Sequence, residues 1–361
     1  MGDTRDLNLE SKKDFIECME RVYAWYECKV LDRVPVRFAG HNEEFNTVDT
    51  RCQWDTIQER WFDVEYGVEV FLQAVKEKDF LGETFPVFWP NLGPNVFAAM
   101  LGGSIEFGDV TSWVHPFISN QDGAPEFKLH EANRYYKKLH ELTEHALSRC
   151  DNQFIVGYTD MHPGLDCVDA MYGTEKVCMG IYDEPDFIKT TASNTFEPFM
   201  EMMNRFHRIL KEKRQPSVSW LNIPSFETMH IPSCDLGTML SKDAFNEFAL
   251  PNIQKEIKQF KHNIFHVDGV GVARHIDTLL DLSEIQGFQW VQGVGNDKPI
   301  MQWLDFIKKI QNRNKGIVVD LETNELDDFL ANMKPKGIYL CINETDVEVQ
   351  KAILKKLRSW K

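Results

Sequence analysis

Three short stretches hold side chains able to do chemistry. In the first, His266 and Asp268 follow the apolar run Ile264-Phe265 and precede Gly269 and Gly271. An imidazole and a carboxylate two residues apart on a strand share one face, and the glycines beside them leave room for a pocket. In the second, Asp160, His162, Gly164 and Asp166 follow the apolar run 154–158. Two carboxylates around an imidazole can bind a metal, hold a substrate amine or exchange protons. The plainer reading is a loop whose aspartates cap the next helix. In the third, Cys234-Asp235 lies between the apolar flanks Ile231-Pro232 and Leu236, ahead of the helix N-cap Ser241.

Aromatic and amide side chains gather near the same expected strand ends. They are Phe88 and Trp89 with Asn91, Trp113 with His115, Trp220, and Trp290 with Gln289 and Gln292. Each tryptophan alone reads more simply as core, but four at such positions, as aromatic walls with a few polar groups, suit a pocket for a small organic ligand. Arg274 and His275 follow the double glycine and could meet an anion at a helix N-terminus; solvation at the surface is the simpler reading. Cys341 lies in the run 338–342, at another expected strand end.

These residues need strands to carry them. Apolar runs without strict alternation recur at 34–38, 85–89, 154–158, 218–221, 264–266, 288–291, 317–319 and 338–342, as strands buried on both faces should. Helical patterns over 11–29, 128–150, 186–212, 241–260, 299–311 and 346–357 separate them. The alternation predicts a parallel α/β sheet, and its roughly eight repeats suit a single (β/α)8 TIM-type barrel spanning 1–361, with residues 1–33 as an N-terminal helical extension. A doubly wound sheet is the rival. The nearest glycine-rich turns, 269–274 and 293–298, both lack the third glycine of a dinucleotide-binding turn and read as room at a pocket rim. Long loops are expected over 47–58, 102–123 and 159–173.

Composition narrows the partners. The net charge of -16 argues against nucleic acid and against an acidic membrane surface, since both need a basic face. No apolar run reaches membrane-spanning length, and MGDTRDLNLESKKDF has no apolar core of a secretory leader. The eight cysteines contain no CxxC pair and read as reduced thiols of a cytoplasmic protein.

The segments 263–293, 159–185, 232–251 and 85–103 together resemble the uroporphyrinogen decarboxylase superfamily, which includes the corrinoid-dependent methyltransferases. The resemblance implies the barrel fold. His266-x-Asp268 resembles the His-x-Cys of the zinc-dependent members, with Asp in place of the second ligand, and Cys341 falls where that family places a late cysteine. A His, Asp and Cys set can hold Zn²⁺ with one position open; oxygen in place of sulfur makes the site harder and suits a methoxy or amine donor. The alternative is that His266 and Asp268 hydrogen-bond each other and a substrate while Cys341 is a core thiol. Asp235 resembles the family's pocket carboxylate. Asp160, His162 and Asp235 are then the residues expected to orient or protonate substrate, and Trp89, Asn91, Gln289, Trp290 and Arg274 those expected to contact it.

The implied activity is methyl transfer between a small methylated compound, or a thiol, and methylcobalamin or another corrinoid. The stretch Asp160-x-His162-x-Gly164 is one residue short of the corrinoid-binding signature and no flavodoxin-like sequence follows it. The corrinoid is therefore expected on a separate partner protein, and a homodimer stays open. The tetrapyrrole decarboxylase itself needs an arginine-rich N-terminal loop, whereas 33–41 keeps Arg37 alone as a candidate clamp. Decarboxylation or another lyase reaction on a small acid, and a non-catalytic ligand-binding barrel, are the alternative functions.

Overall fold

The apolar runs become strands covered on their outer side by the helices that follow them. The structure, a computed structural model, describes residues 7–38, 54–120, 123–292 and 299–360. Its strands are β1 (Val36–Arg37), β2 (Val87–Phe88), β3 (Ile105–Phe107), β4 (Ser112–Val114), β5 (Ile155–Val156), β6 (Met229–His230), β7 (His262–Asp268), β8 (Gly287–Val291), β9 (Gly316–Leu321) and β10 (Ile338–Ile342). Six pair in parallel, in the order β1-β10-β9-β8-β7-β6, as a half-barrel. β2 and β5 form a separate parallel pair, and β3 and β4 an antiparallel hairpin.

Between the half-barrel and the β2–β5 pair, the regular ladder gives way to single bonds. Glu83 N–H donates to Val36 O at 2.7 Å on one side, and Tyr158 N–H donates to Val218 O at 2.9 Å on the other. The run 218–221 is irregular where a strand was expected. Asn222 takes a φ of 55° and turns the chain, so β6, not the 218–221 run, lies beside β7.

Several helices differ from the sequence pattern for local reasons. The first spans Phe15–Tyr26 rather than starting at Ser11, whose hydroxyl donates to Gln153 O instead of capping. The 186–212 pattern divides into Pro185–Asn194 and Phe196–Glu212; the Thr195 hydroxyl at the junction accepts from Gly164 N–H at 2.8 Å. The expected loop 159–173 contains the helix Leu165–Tyr172, and 102–123 contains the β3–β4 hairpin. A helix at Val64–Glu77, unforeseen in the sequence, covers the pocket side. The loop 47–58 lies mostly outside the described residues, as do Cys52 and the glycine-rich turn 293–298. Among the described residues no helix is long and apolar enough to cross a membrane.

The N-terminal helix seals the end of the sheet opposite the chemistry. Trp25 is fully buried, and its indole N–H donates to Gly337 O at 2.9 Å. β8 and β9 both begin with glycine because a Cβ on Gly287 or Gly316 would stand 2.5 or 2.7 Å from that indole. A second tie holds the entry to β1. Glu83, fully buried, accepts from both terminal nitrogens of Arg33, at 2.6 and 3.0 Å, and from Val36 N–H at 2.7 Å.

Candidate active site

The carboxyl ends of the parallel strands open onto a cavity of ≈ 690 Å³. Its walls include Trp61, Trp89, Asn91, Asp160, His162, Trp220, Asp235 and His266. The strand-end position is the usual place for a site in a parallel α/β fold, and the volume suits a small organic ligand.

His266 is set by β7 and its neighbour. Its N–H donates to Pro232 O at 2.9 Å, which pins the loop before Asp235 against the strand. β8 is in register, so Gln289 stands beside His266 and its side-chain oxygen accepts from Nδ1–H. That bond fixes the tautomer and leaves the Nε2 lone pair facing Asp235, 3.9 Å from Oδ1. Burial holds the imidazole below its ordinary range, against the opposing effects of Gln289 and Asp268, so it is neutral. Asp268 follows two residues on, on the same face. One ligand atom each from Asp235, His266 and Asp268 lies within 4.8 Å of the others. Gly269, at φ 73°, turns the strand into the next helix, and Gly271 lets that helix approach Thr238, where a Cβ would come to 2.5 Å.

A second group faces the first. His162 Nε2 lies 2.9 Å from Asp160 Oδ2, and Nδ1 lies 3.1 Å from Ser233 Oγ. Burial alone would lower the imidazole, but Asp160, Asp166 and Asp235 outweigh it and hold it up to about 10. As an imidazolium it donates at both nitrogens. Ser233 then accepts from His162 and donates to Asp166 Oδ2 at 2.8 Å. Asp166 also accepts from Asp235 N–H at 2.9 Å and Leu236 N–H at 3.1 Å. It is the bracket that positions the Asp235 loop.

Asp235 has no such partner. Its carboxylate is 54 % exposed to the cavity, yet the surrounding protein and then Asp166, Asp268 and Asp160 push it up to about 8, with His162 opposing them. Three carboxylates press on it with one imidazolium to balance them, which is the electrostatics of a place that favours a cation.

The structure brings Asp160, His162, Asp235, Trp89 and Asn91 to one cavity and sets Asp268 beside it. It places the other expected residues elsewhere. Cys341 lies in the row Arg37–Cys341–Asp320 made by the register of β1, β10 and β9. Its thiol is buried and pushed up to about 12, and it is not in the group with His266. β10 and β7 are three strand intervals apart, ~14 Å along the sheet. Trp290 points to the outer layer, where it packs on Trp303 and Phe306; alternation along β8 turns Gln289 inward and Trp290 outward. Gln289 itself orients His266. Arg274 is exposed and is not among the cavity residues. Arg37 is buried and donates to Leu221 O at 2.6 Å, away from the cavity.

Several site residues were not singled out from the sequence: Ser233, which bonds His162 and Asp166, and the cavity residues Asp169, Trp61, Tyr66, Asp63 and Asp109. The polar Ser233-Cys234-Asp235 step between apolar flanks was the available signal for Ser233. The others come from segments read as loop or not placed.

No protein-family model matches the sequence, and no curated protein matches it. Among solved structures, a methyltransferase from Methanosarcina mazei shares the fold, with a TM-score of 0.62 over 94 % of this chain and 98 % of that one, at 14 % identity.

Proposed function

We propose that this chain is a methyltransferase of the uroporphyrinogen decarboxylase-like, corrinoid-dependent branch. It would move a methyl group between a small methylated compound and a corrinoid on a separate protein. The observation that carries the reading is the convergence of Asp235, His266 and Asp268 at the cavity. The likeness in fold to a protein named a methyltransferase supports it. The same reading closes the strands into a full (β/α)8 barrel, supported by the single backbone bonds on both sides of β2–β5.

The three side chains fit a divalent ion such as Zn²⁺. His266 offers a neutral Nε2 oriented by an outer hydrogen bond, as metal-binding histidines do, and two carboxylates supply the remaining donors. A contraction of ~1.3 Å would bring atoms 4.8 Å apart to the spacing that tetrahedral bonds of about 2.0–2.2 Å require. The ion would act as a Lewis acid toward a departing oxygen, or would bind the neutral amine released from an ammonium donor, and the partner's reduced corrinoid would supply the nucleophile. In the transfer the methyl–heteroatom bond breaks and its electron pair stays on the heteroatom. An oxygen leaving group would take a proton from His162; an ammonium nitrogen needs none. Asp160 and Ser233 hold the His162 ring, and Asp166 holds Asp235 toward the ion. Arg60 is the one lysine or arginine among the described cavity residues, which leaves little to clamp a polycarboxylate and disfavours the decarboxylase alternative.

Metal removal tests the reading. The purified chain should retain about one equivalent of divalent ion. Chelation should abolish turnover and re-addition restore it. Affinity should rise with pH up to about 8 and level above it, because the proton on Asp235 competes with the ion. The sign for stability follows. A carboxyl raised in the folded state makes the metal-free protein lose stability as pH climbs from the unfolded value toward about 8, and bound ion should remove that loss. Calorimetric titration across this range checks both. Full turnover in a metal-free preparation would end the metal-assisted reading.

A further inference from the structure

Resting on the methyl-transfer reading, we propose that the methyl donor is an organic cation. The class is a small N-methylated ammonium compound rather than a neutral ether or thioether.

The cavity's charge is the first observation. Carboxylates of Asp63, Asp109, Asp160, Asp166 and Asp169 line it, beside the Asp235 that the ion would take. Against them stand the His162 imidazolium, the neutral His266 and Arg60, whose guanidinium is engaged with Asp109 O at 2.5 Å. Some of these carboxylates are already satisfied. Asp63 accepts from Tyr66 N–H and Trp54 Nε1–H, Asp160 pairs with His162, and Asp166 accepts from three donors. Asp169 is satisfied in part: its side chain bonds Thr174, while Oδ1 lies out of water with no hydrogen-bond partner. An anionic substrate would enter against this field.

The second observation is independent of the first. Trp61, Tyr66, Phe88, Trp89 and Trp220 line the same cavity. Two are held by their neighbours. The Trp61 indole N–H donates to Gly108 O at 2.9 Å, and Tyr66 packs edge-on against Trp54 with ring centroids 4.6 Å apart. Aromatic faces carry negative potential and take alkylated ammonium groups, whose charge is spread over methyls that need no hydrogen bonds. Carboxylates alone would suit a hydrated metal ion, and rings alone a neutral apolar ligand. Both together suit a methylated cation.

The chemistry agrees. When a methyl leaves a quaternary nitrogen, the C–N bond breaks, its pair stays on nitrogen, and a neutral amine departs. The methyl forms its new bond to the partner's reduced corrinoid, which supplies the electron pair. No proton is called for, and both His162 N–H groups are already committed to Asp160 and Ser233.

The test is a calorimetric titration of the full chain with tetramethylammonium, with choline, and with the uncharged tert-butyl isostere of choline. The cations should bind roughly tenfold or more tighter than the isostere, and added salt should narrow the gap. Trp89→Leu and Asp169→Asn should each weaken cation binding several-fold, and Trp89→Phe should keep most of it. Equal affinity for choline and its isostere, or no binding of either cation, would overturn the proposal. A turnover arm separates it from the reading beneath it. Transfer from neutral methoxy donors with no preference for ammonium donors would end the cation proposal and keep the methyltransferase. Selective cation binding with no transfer from any donor would keep the pocket's selectivity and end the methyltransferase.

Discussion

Replacing His266 with Ala should strip the bound ion and lower turnover about a thousandfold or more. The magnitude follows from losing several kcal/mol of Lewis-acid stabilisation. The geometry explains why one residue has this reach. Asp235 and Asp268 are carboxylates in a field of carboxylates, and His266 is the neutral donor between them. Gln289→Leu separates holding from orienting. It leaves all three donors in place but releases the Nδ1–H bond that fixes the ring, so metal affinity should fall about 10–100-fold. Elemental analysis beside steady-state kinetics reads both variants. Unchanged metal content in His266→Ala would refute the ligand set.

Replacing Glu83 with Ala should destabilise the fold by about 3–5 kcal/mol, the usual consequence of removing one partner of a buried ion pair. Glu83 and Arg33 are both buried and joined by two hydrogen bonds. The same carboxylate accepts from Val36 N–H at the start of β1, so the variant leaves a buried guanidinium and a buried N–H without their acceptor. Replacing both Arg33 and Glu83 with apolar residues should recover part of the loss. It cannot recover all of it, because the Val36 amide stays unsatisfied. Urea unfolding gives the number, and a loss under ~1 kcal/mol would show that the pair does not anchor β1.

The parallel α/β architecture was legible because strands buried on both faces read as apolar runs separated by helical patterns. Seven of the eight expected strand runs contain a strand in the structure; the exception, 218–221, is bent at Asn222. The convergence of His266, Asp268, Asp160, His162 and Asp235 was legible for a related reason. Polar residues that end apolar runs beside glycines lie at strand ends, and parallel strands end together. What a strand buried on both faces hides is which side is which. Without alternation, nothing in the sequence said that Gln289 faces the site and Trp290 the outer helices. Cys341 shows a further limit. Its place beside Arg37 and Asp320 depends on register across three strands, which no local pattern carries. The Asp166 bracket depends on a contact between loops about seventy residues apart in sequence, so it too needed the fold.

The most direct measurement is the absorbance of a purified, reduced corrinoid protein after this chain and a methylated donor are added. The reduced-cobalt spectrum should be replaced by that of the methylated cofactor only when donor, metal-loaded chain and corrinoid protein are all present. His266→Ala should leave the spectrum unchanged. A spectrum that converts equally without this chain, or this chain alone releasing carbon dioxide from a small acid while the corrinoid stays unmethylated, would contradict the methyltransferase reading.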